Sequence, residues 1–121
     1  MNKLLEIKNL NLSYKINNKS LQILKNVNID LNYKESISVI GESGSGKTSL
    51  IMLIAGLEKF NSGELIFDGN DFKNLNEDEL SDIRRNNIGI IFQSFFLLPN
   101  FTALENVNLT LEINNINNGL N

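Results

Sequence analysis

The chain has 121 residues, with 11 lysines and arginines against 14 acids and a formal net charge of -3. It contains no cysteine and no histidine, which excludes disulfides, the usual zinc sites and imidazole general bases, so any metal must be held by oxygen. An acidic balance without a basic cluster argues against a nucleic-acid surface.

The longest apolar run, over residues 50–57, falls far short of the ~20 residues that a bilayer-spanning helix needs, and Glu6 spoils a signal-peptide reading of the start. A reducing, cytosolic location is expected. Asparagine occurs 22 times, and its dispersal fits genomic base composition better than a prion-like tract.

Residues 4–14 predict a strand, with Leu5, Ile7, Leu10, Leu12 and Tyr14 in near period two and one slip. A turn is expected over residues 17–20. Residues 23–31 alternate again through Val27, Ile29 and Leu31, so the two segments should pair antiparallel with one buried face. A turn at Asn32-Tyr33 leads into a short apolar run over 36–40, read as a further strand.

The next stretch carries the clearest chemistry. Gly41-Glu42-Ser43-Gly44-Ser45-Gly46-Lys47-Thr48 holds two glycines separated by four residues and followed by a lysine and a hydroxyl residue, the phosphate-binding loop pattern. Glycines let backbone N–H groups converge on phosphate oxygens, and the helix predicted from Ser49 through Ala55 adds its positive end. Lys47 is expected to reach the outer phosphates and Thr48 to ligate Mg2+, with Glu42, Ser43, Ser45 and Ser49 lining the same site. A chance glycine-rich turn would lack this placement between strand and helix.

Beyond it, Gly56 and Asn61-Ser62-Gly63 are stop and turn signals, and residues 64–69 predict a short strand. Asn76 with Glu79 resembles a capping box, opening a helix that ends in Arg84-Arg85. The apolar run at 88–92 has the pattern of a strand buried on both faces, with Gln93 at its carboxyl end. In open α/β sheets that position shares the ligand edge with the phosphate loop. Thr102 and Glu105 form a second capping box, followed by a helix with Leu104, Val107 and Leu111, joined by Leu109, as its apolar face.

Taken together, Tyr14, the phosphate loop, Ile90-Ile91-Phe92-Gln93, Leu97-Leu98-Pro99 and Leu104-Glu105-Asn106-Val107 resemble the amino-terminal half of an ABC transporter ATPase. The segment from Leu98 to Asn106 is most similar to the branch that works with lipoprotein-releasing and macrolide-export permeases. The resemblance implies an α/β P-loop fold with an antiparallel β subdomain and an incomplete RecA-like core, making residues 1–121 a partial nucleotide-binding domain. It also implies ATP and Mg2+ as ligands. By the same resemblance Tyr14 stacks on adenine, and Gln93 ligates Mg2+ or touches the attacking water while sensing the permease.

The implied partners are a transmembrane permease docking on residues 95–101, among them Phe95, Phe96, Leu97 and Phe101, and a second copy of the ATPase. Neither nucleic acid nor direct membrane insertion is expected, and the location is peripheral on the inner face of the cell membrane. Any single phenylalanine of the cluster could equally pack in the core.

The sequence also departs from the family. No Leu-Ser-Gly-Gly-Gln stretch, no second strand ending in aspartate and glutamate, and no switch histidine follows Gln93, after which the only acids are Glu105 and Glu112. Two readings therefore stand: the nucleotide-binding front of an energy-coupling ATPase, inactive by itself, or a catalytically inert remnant that binds only nucleotide or a partner. A different P-loop enzyme, such as a GTPase or a small-molecule kinase, is disfavoured, and no guanine-reading Asn-Lys-x-Asp follows the loop. In this P-loop class, later strands lie between those at 36–40 and 88–92, so both should have open edges prone to aggregation.

Overall fold

The computed structural model describes residues 2–92 and 98–113, the side chains of 110–113 excepted. Gln93, Phe95, Phe96 and Leu97 lie outside the described residues, as do residues 114–121. The chain divides into two compact units, Met1–Leu80 and Ser81–Asn121.

The first unit is built on a four-stranded antiparallel sheet in the order β2-β1-β3-β4, with β1 at Lys3–Ile16, β2 at Lys19–Asn32, β3 at Ser62–Phe67 and β4 at Asn70–Asp71. β1 and β2 form one long hairpin whose turn is only Asn17-Asn18. Both residues have positive φ, 50° and 64°, the two-residue turn whose twist suits flanking strands and which asparagine tolerates well. The expected turn over 17–20 is thus tighter, and both strands longer, than the sequence pattern suggested.

The slip in the apolar pattern of β1 is a bulge. Ile7 faces Ile29 and Leu10 faces Val27, so Lys8 and Asn9 together oppose Asn28, and Asn9 takes a φ of 49°. A reciprocal bulge on β2, with Asn26 at φ 47°, lies between the Leu10–Val27 and Leu12–Leu24 pairs. Leu5, Ile7, Leu10 and Leu12 therefore all face the core despite the broken alternation. Asparagine side chains hold the bulges: Asn28 accepts from the Asn9 N–H at 3.0 Å, and Asn11 accepts from the Asn26 N–H at 3.0 Å. Neither bulge leaves its displaced amide unmet.

The helix α1, Lys47–Ile54, buries Leu50 and Leu53, and these join Leu5, Ile7, Leu10, Leu12, Leu24, Leu65, Phe67, Phe72 and Leu80 among the buried apolar residues. At about 1.5 to 3 kcal/mol for each large apolar side chain, such burial is the main stabilising term. Two elements were not expected: the short β4 and a 3-10 turn at Phe72–Asn74, which Asp71 caps by accepting from the Lys73 N–H at 3.0 Å. Helix α2, Glu77–Asn87, starts at the predicted capping box, with Asn76 and Glu79 bonded reciprocally at 2.9 and 3.2 Å.

In the second unit, helix α3 spans Ala103–Ile113 and opens at the Thr102–Glu105 box, bonded both ways at 2.9 and 3.1 Å. Of its expected apolar face, Leu104 and Val107 are 68% and 75% exposed and Leu109 is half-buried, while the Leu111 side chain lies outside the described residues. Asn106 shapes the preceding turn, accepting from the Leu98 N–H at 2.8 Å and donating to the Thr102 carbonyl at 2.9 Å. No helix among the described residues is long and apolar enough to cross a membrane.

Residues 36–40 and 88–92, predicted as strands, belong to no ladder. Burial of 88–92 on both faces is likewise not observed, since Ile91 is fully exposed, and Ile40 is 92% exposed. A strand exists through the N–H and C=O groups of a neighbour, and no neighbouring strand among the described residues offers them. What is present of the P-loop architecture is its antiparallel subdomain and the phosphate-loop helix; no parallel ladder forms among the described residues.

Candidate functional site

The phosphate loop has the backbone its glycines allow. Gly44 and Gly46 adopt φ 83° and 96°, the left-handed region that other residues enter only at a cost. Gly46 is also the N-cap of α1 and lies against β2, where an added Cβ would stand 2.9 Å from Leu24 Cδ2 and 3.0 Å from the Ile23 carbonyl. At Gly41 an added Cβ would meet Ser45 Oγ at 2.6 Å, a contact that the exposed Ser45 side chain can relieve by rotating. The loop is closed by the Ser45 N–H donating to the Glu42 carbonyl at 3.1 Å.

Electrostatically, α1 is unlike α2 and α3. Helix α2 has Glu77, Asp78 and Glu79 in its first turn, and α3 has Glu105. Helix α1 has no acid there and no side-chain cap, which leaves its positive end able to receive an anion. Lys47 folds back over the loop and donates to the Gly41 carbonyl. Its ammonium is thereby held at the loop mouth, where it can exchange a carbonyl for a phosphate oxygen.

Thr48 is exposed in the first turn of α1, and Ser49 is half-buried beside it. Among the described residues no group of three acids, histidines or cysteines could hold a metal ion. A donor set of one hydroxyl fits a hard cation that takes its remaining ligands from phosphate and water.

Tyr14 lies near the far end of β1, opposite Leu21 on β2. Gly46 rests on Ile23 and Leu24 of the same strand. At roughly 3.3 Å per residue, the register sets Tyr14 on the order of 10 Å from the loop. The Tyr14 hydroxyl donates to the Glu58 carboxylate in the segment between α1 and β3, leaving the ring partly exposed. Periodicity gave no sign of Glu58, because the contact joins residues 44 apart through a connecting loop.

Of the remaining site residues expected from sequence, Gln93 is outside the described residues, as are Phe95, Phe96 and Leu97 of the docking segment. Leu98 and Phe101, from the same segment, are exposed. Asn106 holds the turn between them, and its sequence signal is its place behind the Thr102–Glu105 box.

Known proteins resemble the chain at both levels. The family model described as ABC transporter matches residues 24–121. The ABC transporter ATP-binding protein MJ0796 of Methanocaldococcus jannaschii is 42% identical over 108 residues, covering 89% of this chain and 46% of that protein. The lipoprotein-releasing system ATP-binding protein LolD of Wigglesworthia glossinidia brevipalpis is 40% identical, covering 93% of this chain and 49% of its own length. The macrolide export ATP-binding/permease protein MacB of Pasteurella multocida is 37% identical, covering 88% of this chain and 16% of its own length.

Among solved structures, a dimeric post-hydrolysis state of the MJ0796 ATP-binding cassette bound to ADP and Pi superposes with a TM-score of 0.82 at 41% identity. It is matched over 90% of this chain and 47% of that one. The chain thus spans about half the length of MJ0796 and LolD. A phosphate loop on an uncapped helix, an antiparallel subdomain beside it and a family match over most of the sequence lead to one conclusion: the chain belongs to the ABC transporter family.

Proposed function

We propose that the chain binds MgATP on the loop from Gly41 to Ser49 and forms the nucleotide-binding front of an ATPase that drives a membrane transporter. The observation that carries this reading is α1: a helix entered through left-handed glycines, with neither cap nor acid in its first turn and with Lys47 at its mouth. The loop amides and Lys47 bind the β- and γ-phosphates, and Tyr14 stacks on the adenine. Thr48 and Gln93 are the protein groups that would hold magnesium, which when bound neutralises phosphate charge. Gln93 also orients the attacking water, its carboxamide accepting a hydrogen bond without adding charge.

By likeness to LolD and MacB, the whole protein hydrolyses ATP between paired copies on the inner face of the cell membrane, in transport of the lipoprotein-release or macrolide-export kind. The surface around Leu98 and Phe101 is its contact with a permease, since exposed apolar side chains held on an ordered turn suit an interface. One other reading, a piece that binds nucleotide without turnover, is favoured by the unladdered segments 36–40 and 88–92.

Titration calorimetry of the dilute chain with MgATP tests the reading. Binding should weaken at least tenfold in Lys47→Ala, because charge-assisted contacts to phosphate contribute about 1.5 to 3 kcal/mol. Unchanged affinity in that variant would remove the proposed site.

A further inference from the structure

Beyond Asn11, β1 loses its β3 neighbour: the β1–β3 register ends at Asn11–Ser62, while β1 continues to Ile16. The segment that follows α1 takes over that edge. The Asn61 N–H donates to the Asn11 carbonyl at 2.9 Å, and the Ser13 N–H donates to the Asn61 side-chain oxygen at 2.7 Å. The Asn11 amide donates to Ser62 Oγ at 3.1 Å, and one step further along, the Tyr14 hydroxyl donates to Glu58. The Tyr14 end of β1 is therefore fastened by a loop on one side and by β2 on the other.

A stacking ring works only if its plane is fixed before the base arrives, because freezing a side chain on binding costs affinity. Tyr14 has two rotatable side-chain torsions and an exposed ring, so packing alone does not fix it. We infer that Glu58 is the positioning residue for Tyr14, its carboxylate holding the phenol so that the ring presents a set face to the nucleotide base, with Asn61 anchoring the loop that carries it.

The device also joins the two halves of the ligand site. The phosphate-binding loop opens α1, and Glu58 follows the same helix a few residues past its end. One short helix thus positions phosphates at its amino end and, through Glu58, the base at the other. The inference rests on the proposed stacking of adenine on Tyr14, and the test separates the two.

Dissociation constants for ATP and for inorganic triphosphate would be measured on the dilute chain and on Glu58→Ala, Glu58→Gln, Tyr14→Phe, Tyr14→Ala and the Glu58→Ala/Tyr14→Phe double variant. Fixing one side chain accounts for roughly two- to tenfold in affinity. Glu58→Ala and Tyr14→Phe should each weaken ATP by that factor, and the double variant by no more than either single change, because both remove the same bond. Triphosphate affinity should be unchanged throughout, which shows that the phosphate loop is intact, and Glu58→Gln, which keeps an acceptor oxygen, should stay near the parent.

If Tyr14→Ala weakens ATP selectively while Glu58→Ala and Tyr14→Phe do not, stacking stands and the role of Glu58 falls. Additive losses in the double variant would also overturn it. If Tyr14→Ala leaves ATP binding untouched, stacking itself falls and the inference with it.

Discussion

Gly63 passes so close beneath Asn9 that a Cβ added to it would stand 2.4 Å from the Asn9 carbonyl oxygen and 2.7 Å from Leu10 Cα. Two left-handed residues on neighbouring strands meet there, Gly63 at φ 100° and Asn9 at φ 49°. The β1 bulge and the glycine of β3 are parts of one close crossing. Gly63→Ala collides with backbone that cannot step aside, so it should cost more than about 2 kcal/mol. Gly69→Ala, at φ 79° with nothing within 4 Å, meets only the conformational penalty of about 1 kcal/mol. Urea unfolding of the two variants checks the order; equal losses would show that the crossing relaxes freely.

Exposed apolar side chains on unladdered backbone should make the chain self-associate through residues 36–40 and 88–92. Ile40→Lys and Ile91→Lys place a charge on each segment, the means by which natural edge strands resist pairing. Light scattering at matched concentration should fall in each variant and most in the pair, with the circular dichroism spectrum unchanged. Scattering that ignores both substitutions would place association elsewhere.

Hydrolysis needs a general base beside the γ-phosphate as well as a group to orient the water, and the Gln93 carboxamide can supply only the second. Histidine is absent, and the Glu105 carboxylate is bonded to the Thr102 N–H. Phosphate release by the isolated chain should stay at the level of buffer, although MgATP binds. Gln93→Ala should leave that affinity within about twofold, because the loop amides and Lys47 supply most of the phosphate contacts and Thr48 still holds the ion. Steady release that vanishes in Lys47→Ala would contradict this.

Acid should loosen the start of α3. The hydrogen bond from the Thr102 backbone, followed by that involving its side chain, holds the Glu105 carboxyl below the ordinary glutamate range. A carboxyl whose value is lowered by folding stabilises the fold above its unfolded value, about 4.3, and loses that contribution as pH drops through the folded one. Amide exchange over 103–106, followed downward from pH 6, should quicken only below about pH 4, and Glu105→Gln should flatten the response. A transition near neutrality would assign the effect to another group.

Much of this was legible in the sequence because it is local. The Asn76–Glu79 and Thr102–Glu105 boxes each close within one turn, and the phosphate loop needs only its own glycines. Even the broken alternation at Leu10 was visible as a slip, although only the register shows that Lys8 and Asn9 form a bulge. The segments 36–40 and 88–92 misled because β-branched, apolar residues report suitability for a ladder, while the ladder itself requires another strand. Tyr14 was selected by its place in a pattern, yet its partner Glu58 was invisible, since a contact across 44 residues leaves no periodic trace.

A side chain at position 46 would run into Leu24 and the Ile23 carbonyl, so the phosphate loop is moulded partly by β2. Its eight letters can therefore be inherited intact while the site decays. A bulkier residue drifting into position 24 would lift the loop from its seat and silence it, and a search for the motif would still score a perfect match. Sequences that keep the motif but change Leu24 are where binding should be measured before a nucleotide is assigned to them.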